Sequence, residues 1–229
     1  MRTTITLILL SFSVLWSDNR SFVWTYEAMT MAPGDAEFEH YFTTVYRDKN
    51  HFDRDYIVIH NMELEIGMTR TFDVGIYQQF SQIKNAALAY DKFKVRFRYR
   101  LSRGSVLGAD PLLYLEYQAT PSFVNQTVEG KFVLSRTWHN IIWAVNPGLE
   151  WSLPSRETEA FYTAGLTYEI SELVKLGLEI KGSEAGHYIG PVISHGNEKR
   201  YIAVGSLIIL STATDQPEFM FRSILGIRL

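Results

Sequence analysis

Lys92-Phe93-Lys94-Val95-Arg96-Phe97-Arg98-Tyr99-Arg100-Leu101 alternates a base with an apolar residue through ten positions. Wound as a helix of about 3.6 residues per turn, the five charges would scatter around the circumference. In a strand successive side chains point to opposite faces. Lys92, Lys94, Arg96, Arg98 and Arg100 then share one face, and Phe93, Val95, Phe97, Tyr99 and Leu101 the other. The same period of two runs through Glu63-Leu64-Glu65-Ile66, Val74-Gly75-Ile76-Tyr77 and Lys175-Leu176-Gly177-Leu178-Glu179-Ile180-Lys181.

Outward from that stretch, turn residues divide the chain into strands. The punctuation is Pro33-Gly34-Asp35, Asp48-Lys49-Asn50, Ser102-Arg103-Gly104, Asn125-Gln126, Pro154-Ser155, Gly182-Ser183 and Asp215-Gln216-Pro217. The expected strands are 22–30, 36–47, 55–66, 71–81, 90–101, 111–118, 129–136, 140–152, 159–170, 173–182, 187–194, 200–211 and 218–229. From residue 36 onward that is about twelve, an even number. Segment 22–30 is left over, as a lead-in strand or as a partner at a closure seam. Residues 202–210 are nearly all apolar, so the period does not assign their faces. Pro147 and Pro191 fall inside expected strands, where each removes a ladder donor, and predict bulges or irregular rims.

Alternation alone fits a β-sandwich as well as a barrel, and the chain termini separate the two. Arg2 followed by the apolar run 5–15 reads as an export signal too short to span a bilayer, with Ser13 and Ser17 as small residues near a cleavage point. The terminal strand puts Phe219, Phe221, Leu225, Ile227 and Leu229 on one face and Arg222, Gly226 and Arg228 on the other. Such a strand can face lipid on one side only if its backbone is paired on both edges, which closure into a barrel provides. Connections at 67–70, 137–139 and 171–172 are short. Those at 48–54, 82–89, 119–128, 153–158 and 183–186 are longer and fall at the other end, the asymmetry of an outer-membrane barrel. The 102–110 connection is long on the short-turn side. The expected architecture is an all-β, antiparallel transmembrane barrel of about 12 strands: residues 1–17 a signal peptide, 18–35 a lead-in segment and 36–229 the barrel.

Composition bounds what such a barrel does. The 229 residues are 21% charged and 14% aromatic, and no apolar run beyond the N-terminus reaches the length of a membrane helix. The absence of cysteine removes disulfide scaffolds and thiolate chemistry. A net charge of −3 gives no reason to expect a nucleic-acid partner. No cofactor or metal-ligand spacing is found among the six histidines.

The run Tyr188 to Leu229, with its Gly190-Pro191 strand, resembles the closing strands of poorly characterised Gram-negative outer-membrane β-barrels of the transporter and porin kind. The segment Trp24 to Thr44, with its Pro-Gly turn before Glu37-Phe38-Glu39, adds to the resemblance. It implies the bacterial outer membrane as location, outer-membrane lipid as surroundings, and recognition of Phe219–Leu229 by the barrel-assembly machinery. It also implies passage of a small solute.

The inward faces carry Glu37, Glu39, Glu63, Glu65, Asp73, Glu116, Glu129, Glu150, Glu169 and Glu179. They also carry Lys92, Lys94, Arg96, Arg98, Arg100, Lys131, Lys175, Lys181, Arg222 and Arg228. Lys92, Lys94, Arg96, Arg98, Arg100, Glu116, Glu63, Glu65, Lys131 and Arg222 are the candidates to line the lumen and meet a polar or anionic solute. One expectation is that the basic ladder stays partly uncompensated and attracts anions. The other is that Glu37, Glu39, Glu63 and Glu65 reach across and make it a brace in a closed, salt-bridged lumen. A lipid-active enzyme would need a Ser–His pair. Ser194-His195-Gly196-Asn197 is the nearest cluster and reads as ordinary turn chemistry, so no catalytic function is expected.

Overall fold

The computed structural model describes residues 20–102, 108–211 and 216–229. The expected signal segment lies outside the described residues. The strands are β1 Ala36–Tyr46, β2 Tyr56–Thr69, β3 Phe72–Ile83, β4 Ala89–Arg100, β5 Asp110–Ala119 and β6 Gln126–Trp138. They continue with β7 Ile141–Ser152, β8 Thr158–Ser171, β9 Val174–Ser183, β10 Gly186–Asn197, β11 Arg200–Ile209 and β12 Phe219–Arg228. Each pairs antiparallel with its sequence neighbours, and β1 pairs with β12 from Glu37↔Arg228 to Tyr46↔Phe219. The barrel is closed, so no strand edge is left to be satisfied in hydrocarbon.

The alternation of the basic stretch becomes the two faces of β4. Arg96 and Arg98 are buried inside, while Phe97 and Tyr99 are exposed outside. The outer wall is apolar nearly all the way round, with Leu113, Leu115, Val145, Leu149, Leu166, Leu178, Ile193, Ile202 and Leu225 among its exposed residues. Two-residue turns close the hairpins at 70–71, 139–140, 172–173 and 198–199, at the end where β1 begins and β12 finishes. This terminal end also holds the long 101–109 connection. The opposite loop end carries the longer connections 47–55, 120–125 and 210–218, together with a tight turn at 184–185 where the sequence predicts a longer loop. An aromatic knot of Tyr46, Phe52, Tyr56 and Phe219 closes the β12–β1–β2 corner there, with ring centroids 4.9–5.9 Å apart.

Pro147 and Pro191 make no bulge. Both point outward, and each leaves its ladder in register while dropping two pairs on one side. The β6–β7 ladder passes from Lys131↔Gly148 to Leu134↔Val145, and the β10–β11 ladder from Ile189↔Ile208 to Val192↔Gly205. A proline has no N–H to give to that neighbour, while the opposite ladder stays paired through the residues on either side of it. His40 and His60 alternate with the buried Glu39, Tyr41 and Asn61 and so face outward. Their ring nitrogens meet at 3.1 Å, so each supplies the other with a hydrogen-bond partner on an otherwise apolar surface.

Segment 22–30 is not a strand and takes no part in the closure seam, which β1 and β12 form directly. Residues 20–31 instead lie inside the barrel, and 32–35 turn at its terminal end. The segment rises from the terminal end along β9, reaches mid-lumen at Val23–Tyr26, and descends past β6 and β3 to the Pro33-Gly34 turn. Phe22, Val23 and Trp24 are buried against the inner face of β11 and its neighbours, together with Ala203, Leu207 and Ile224. The apolar run on β11 therefore has two apolar faces for two reasons. Ile202 and Ile208 meet the outside, and Tyr201, Ala203, Gly205 and Leu207 meet the plug.

Two glycines give this segment its room. A Cβ on Gly165 would enter the ring of Phe22, and one on Gly205 would come within 2.7 Å of Val23 Cγ2. Gly165→Val is accordingly expected to destabilise the folded protein by about 1–3 kcal/mol, the usual cost of overpacking. In a double-mutant cycle with Phe22→Ala the two effects should couple by about 1 kcal/mol or more, because the second change vacates the space the first needs. Thermal unfolding in detergent measures this, and simple additivity would show that the ring and the glycine do not meet.

Candidate functional site: the lumen and its vestibule

Where the plug passes, the lumen is crossed by hydrogen bonds from barrel side chains to plug backbone. Glu179 accepts the amides of Val23, Trp24 and Thr25 at 2.8–2.9 Å. Asn146 accepts from the Tyr26 amide at 2.6 Å and donates to the Tyr26 carbonyl at 3.0 Å. Ser135 takes the Ala28 amide and Asp73 the Met31 amide, at 2.8 and 2.9 Å. A non-helical, non-sheet segment has no partners of its own for these groups, and the segment is largely buried from solvent. The barrel's inward polar residues fill that need. Glu27 ties the two limbs together by accepting the amide and hydroxyl of Ser21.

Beside the plug in the terminal half, the basic ladder is consumed by acids. Arg96 meets Glu63 at 2.8 Å and Glu65 at 2.5 Å and donates to the Tyr77 hydroxyl at 2.7 Å. Arg98 holds both oxygens of Asp73, at 2.9 and 2.8 Å, and also reaches Glu65. Arg20 of the plug makes the matching two-point contact with Glu39 at 2.7 and 2.9 Å and donates to Tyr41, whose hydroxyl continues to Glu63. Arg96, Glu63 and Glu65 are completely buried. Carboxylate oxygens of Glu39, Glu63 and Glu65 lie within 4.8 Å of one another, a spacing suited to a cation. The guanidinium groups of Arg20 and Arg96 supply that positive charge. The expectation of an uncompensated ladder therefore fails at Arg96 and Arg98, and the acids that neutralise them come from β2 and β3. The register does set Arg96 opposite Glu116, but Glu116 pairs with Lys94 instead, at 3.2 Å. Arg100 sits at the terminal rim, donating to the Arg70 carbonyl at 3.2 Å.

Toward the loop end the lumen opens into a vestibule of about 500 Å³ whose floor is Val23, Trp24 and Tyr26. Of the sequence candidates, Lys94, Glu116, Lys131 and Arg222 line it. Lys92 borders a smaller recess above, and Glu63, Glu65, Arg96 and Arg98 lie in the network around its base. Its acids stand in one row, because the register sets Glu116 beside Glu129, Glu129 beside Glu150 and Glu150 beside Glu159. Lys131 pairs with Glu129 at 2.6 Å and lies over the rings of Tyr114 and Tyr26 at 4.3 and 4.8 Å. Lys181 and Arg222 differ from the other bases. Among the described residues neither has a carboxylate within ion-pair distance. Arg222 donates to Thr43 Oγ1 at 2.9 Å and to the Val23 carbonyl at 3.2 Å, and lies over the Trp24 ring at 5.3 Å.

The plug residues and the pairing-free status of Lys181 were not legible as a site. The signals they left were the doubly apolar stretch 202–210 and the lumen-facing glycines. Ser194 and His195 cannot act together, since Ser194 is buried on the inside and His195 is exposed on the outside of β10.

No protein-family model and no curated protein sequence matches the chain. Its backbone is similar to that of solved outer-membrane barrels. The NanC porin aligns with a TM-score of 0.58 at 8% identity, covering 84% of this chain and all of that one. The KdgM porin in complex with disordered oligogalacturonate aligns at 0.56 and 9% identity, over 85% of this chain and 97% of the other. Outer-membrane phospholipase A from Escherichia coli aligns at 0.51 and 10% identity, over 86% and 93%. At these identities the likeness establishes the fold, a twelve-strand outer-membrane-type barrel.

Proposed function

We infer that this chain is a non-enzymatic barrel of the bacterial outer membrane that admits a small polar solute bearing an anionic group. Its loop end faces outside and its terminal end faces the periplasm. Residues 1–17 direct export and are removed, and the Phe219–Leu229 strand is what the assembly machinery receives. The observation that carries the reading is the vestibule, a water-accessible space of about 500 Å³ in which Lys181 on β9 and Arg222 on β12 have no carboxylate partner, while the acids without a base among the described residues, Glu150 and Glu159, stand on β7 and β8. An aromatic wall that includes Trp24, Tyr26, Tyr77, Tyr114 and Tyr188 suits the faces of sugar rings, and the shared fold with a porin solved with an acidic oligosaccharide supports the same class.

Reversal potentials in a salt gradient test this. Wild type should prefer anions. Each unpaired base acts on a passing ion at roughly 7 Å in a water-like medium with about 0.6 kcal/mol, favouring the anion and disfavouring the cation, so each neutralisation should lower the anion-to-cation ratio about sevenfold. Lys181→Gln with Arg222→Gln should therefore remove most of the preference while the barrel still folds. Cation preference in wild type, or an unchanged ratio in the double variant, would show that these bases do not select the solute.

A further inference from the structure

We propose that residues 20–31 are a tethered gate, and that Arg222 is the group through which an anion in the vestibule loosens it. The proposal rests on the passage reading above, and it follows from where the plug is held and where it is not.

The segment is attached as a unit. Glu27 fastens its rising and descending limbs to each other, so the loop keeps its shape whether or not the barrel grips it. Its tether is the turn at 32–35. There Gly34 adopts φ +84, its amide bonds the Gly67 carbonyl at 3.0 Å, and Gly67 returns a bond to the Asp35 carbonyl at 3.0 Å. Rotation about that turn carries the loop out through the terminal end without breaking a strand pair, because no residue of 20–31 belongs to a ladder. Leaving the lumen exposes Phe22, Val23 and Trp24, which are 0%, 2% and 7% exposed when seated, so unaided opening is rare.

Arg222 faces both compartments. On the plug side it donates to the Val23 carbonyl and covers the Trp24 ring. On the other side it lines the vestibule with Lys181. Arg222 and Lys131 act on Lys181 as like charges and Glu129 and Glu159 as opposite ones, none of the acids within ion-pair distance, so an anion between Lys181 and Arg222 supplies the direct contact both bases lack. Arg222 has five N–H groups and uses one on Thr43 and one on Val23; a carboxylate or phosphate bridging the others to Lys181 draws the guanidinium toward the vestibule and off the Val23 carbonyl. The seated state then loses a hydrogen bond while the unseated state loses nothing. A ligand shifts an equilibrium only through such a difference between its two states. The solute that enters the vestibule thus weakens the floor beneath it.

The chain has no cysteine, so engineered thiols report without background. Ala28 N and Ser135 Oγ are 2.8 Å apart, which keeps their Cα atoms within about 7 Å and in reach of a disulfide. In proteoliposomes, the Ala28→Cys/Ser135→Cys barrel should pass glucuronate when reduced and stop when oxidised. Equal passage in both states overturns the gate and leaves solute passage standing. Passage in neither state overturns both. In the single variant Ala28→Cys, the modification rate by a water-soluble thiol reagent measures opening. Glucuronate should raise that rate several-fold and glucose should not, and Arg222→Gln should abolish the difference. A rate indifferent to glucuronate, or a response that survives Arg222→Gln, overturns the part assigned to Arg222.

Discussion

Arg96→Gln should destabilise the barrel by about 3–5 kcal/mol and leave its ion selectivity unchanged. The magnitude is that of removing one partner from a buried charge network, where the groups left behind are stranded without solvent. Here the fully buried Glu63 loses its ion pair and keeps the Tyr41 hydroxyl, Glu65 is left to Arg98, and the Tyr77 hydroxyl loses its donor. Selectivity should not follow, because Arg96 offers no unpaired charge to the vestibule. Lys181→Gln should behave in the opposite way, changing selectivity and costing little stability, since it breaks no ion pair. Chemical unfolding in detergent together with reversal potentials on the same variants separates bracing from selection. A folded Arg96→Gln barrel with reduced anion preference would return the ladder to the role its sequence first suggested.

Of the two readings the sequence offered, the brace through Glu63 and Glu65 is what stands at Arg96, and the uncompensated ladder went astray there for a physical reason. Alternation fixes which face a side chain takes, and it did so here for every base from Lys92 to Arg100. It does not say what stands across the lumen. Arg96 finds Glu63 two strands away rather than Glu116 on the strand it pairs with, and such a partner depends on barrel curvature and side-chain reach. Strand positions were legible to within a few residues because the outside is apolar and turns need their own residue types. The plug was not, since 22–30 obeys neither periodicity: it is irregular backbone buried on all sides. Its trace lay elsewhere, in an inward face of β11 that should have been polar and was apolar, and in Gly165 and Gly205, where a lumen lining had no need of glycine unless something pressed against it. A stretch whose faces cannot be assigned, in a barrel whose other strands assign cleanly, marks an interior contact.

Glu179→Ala should release the plug from the barrel while the barrel itself stays folded. The carboxylate receives three consecutive amides, with Oε1 taking Trp24 and Thr25 and Oε2 taking Val23. Its removal strands all three donors in a site where Glu179 is 1% exposed. A buried donor without a partner costs roughly 1–3 kcal/mol, so the seated plug should lose about 3 kcal/mol or more relative to the unseated one. That is a factor of at least about a hundred in the population of open plug. Hydrogen exchange followed by mass spectrometry reads it directly. Amides of 23–25 should exchange at least about a hundredfold faster, while those of β3 and β7 keep their protection, since no ladder bond is touched. Glu179→Gln should fall between. Its carbonyl can still accept two amides, but its NH₂ group turns a donor toward the third. Were strand amides to lose protection in step with those of the plug, the segment would be part of the barrel's cooperative core rather than a separable piece, and the energy holding it would be energy of the whole fold.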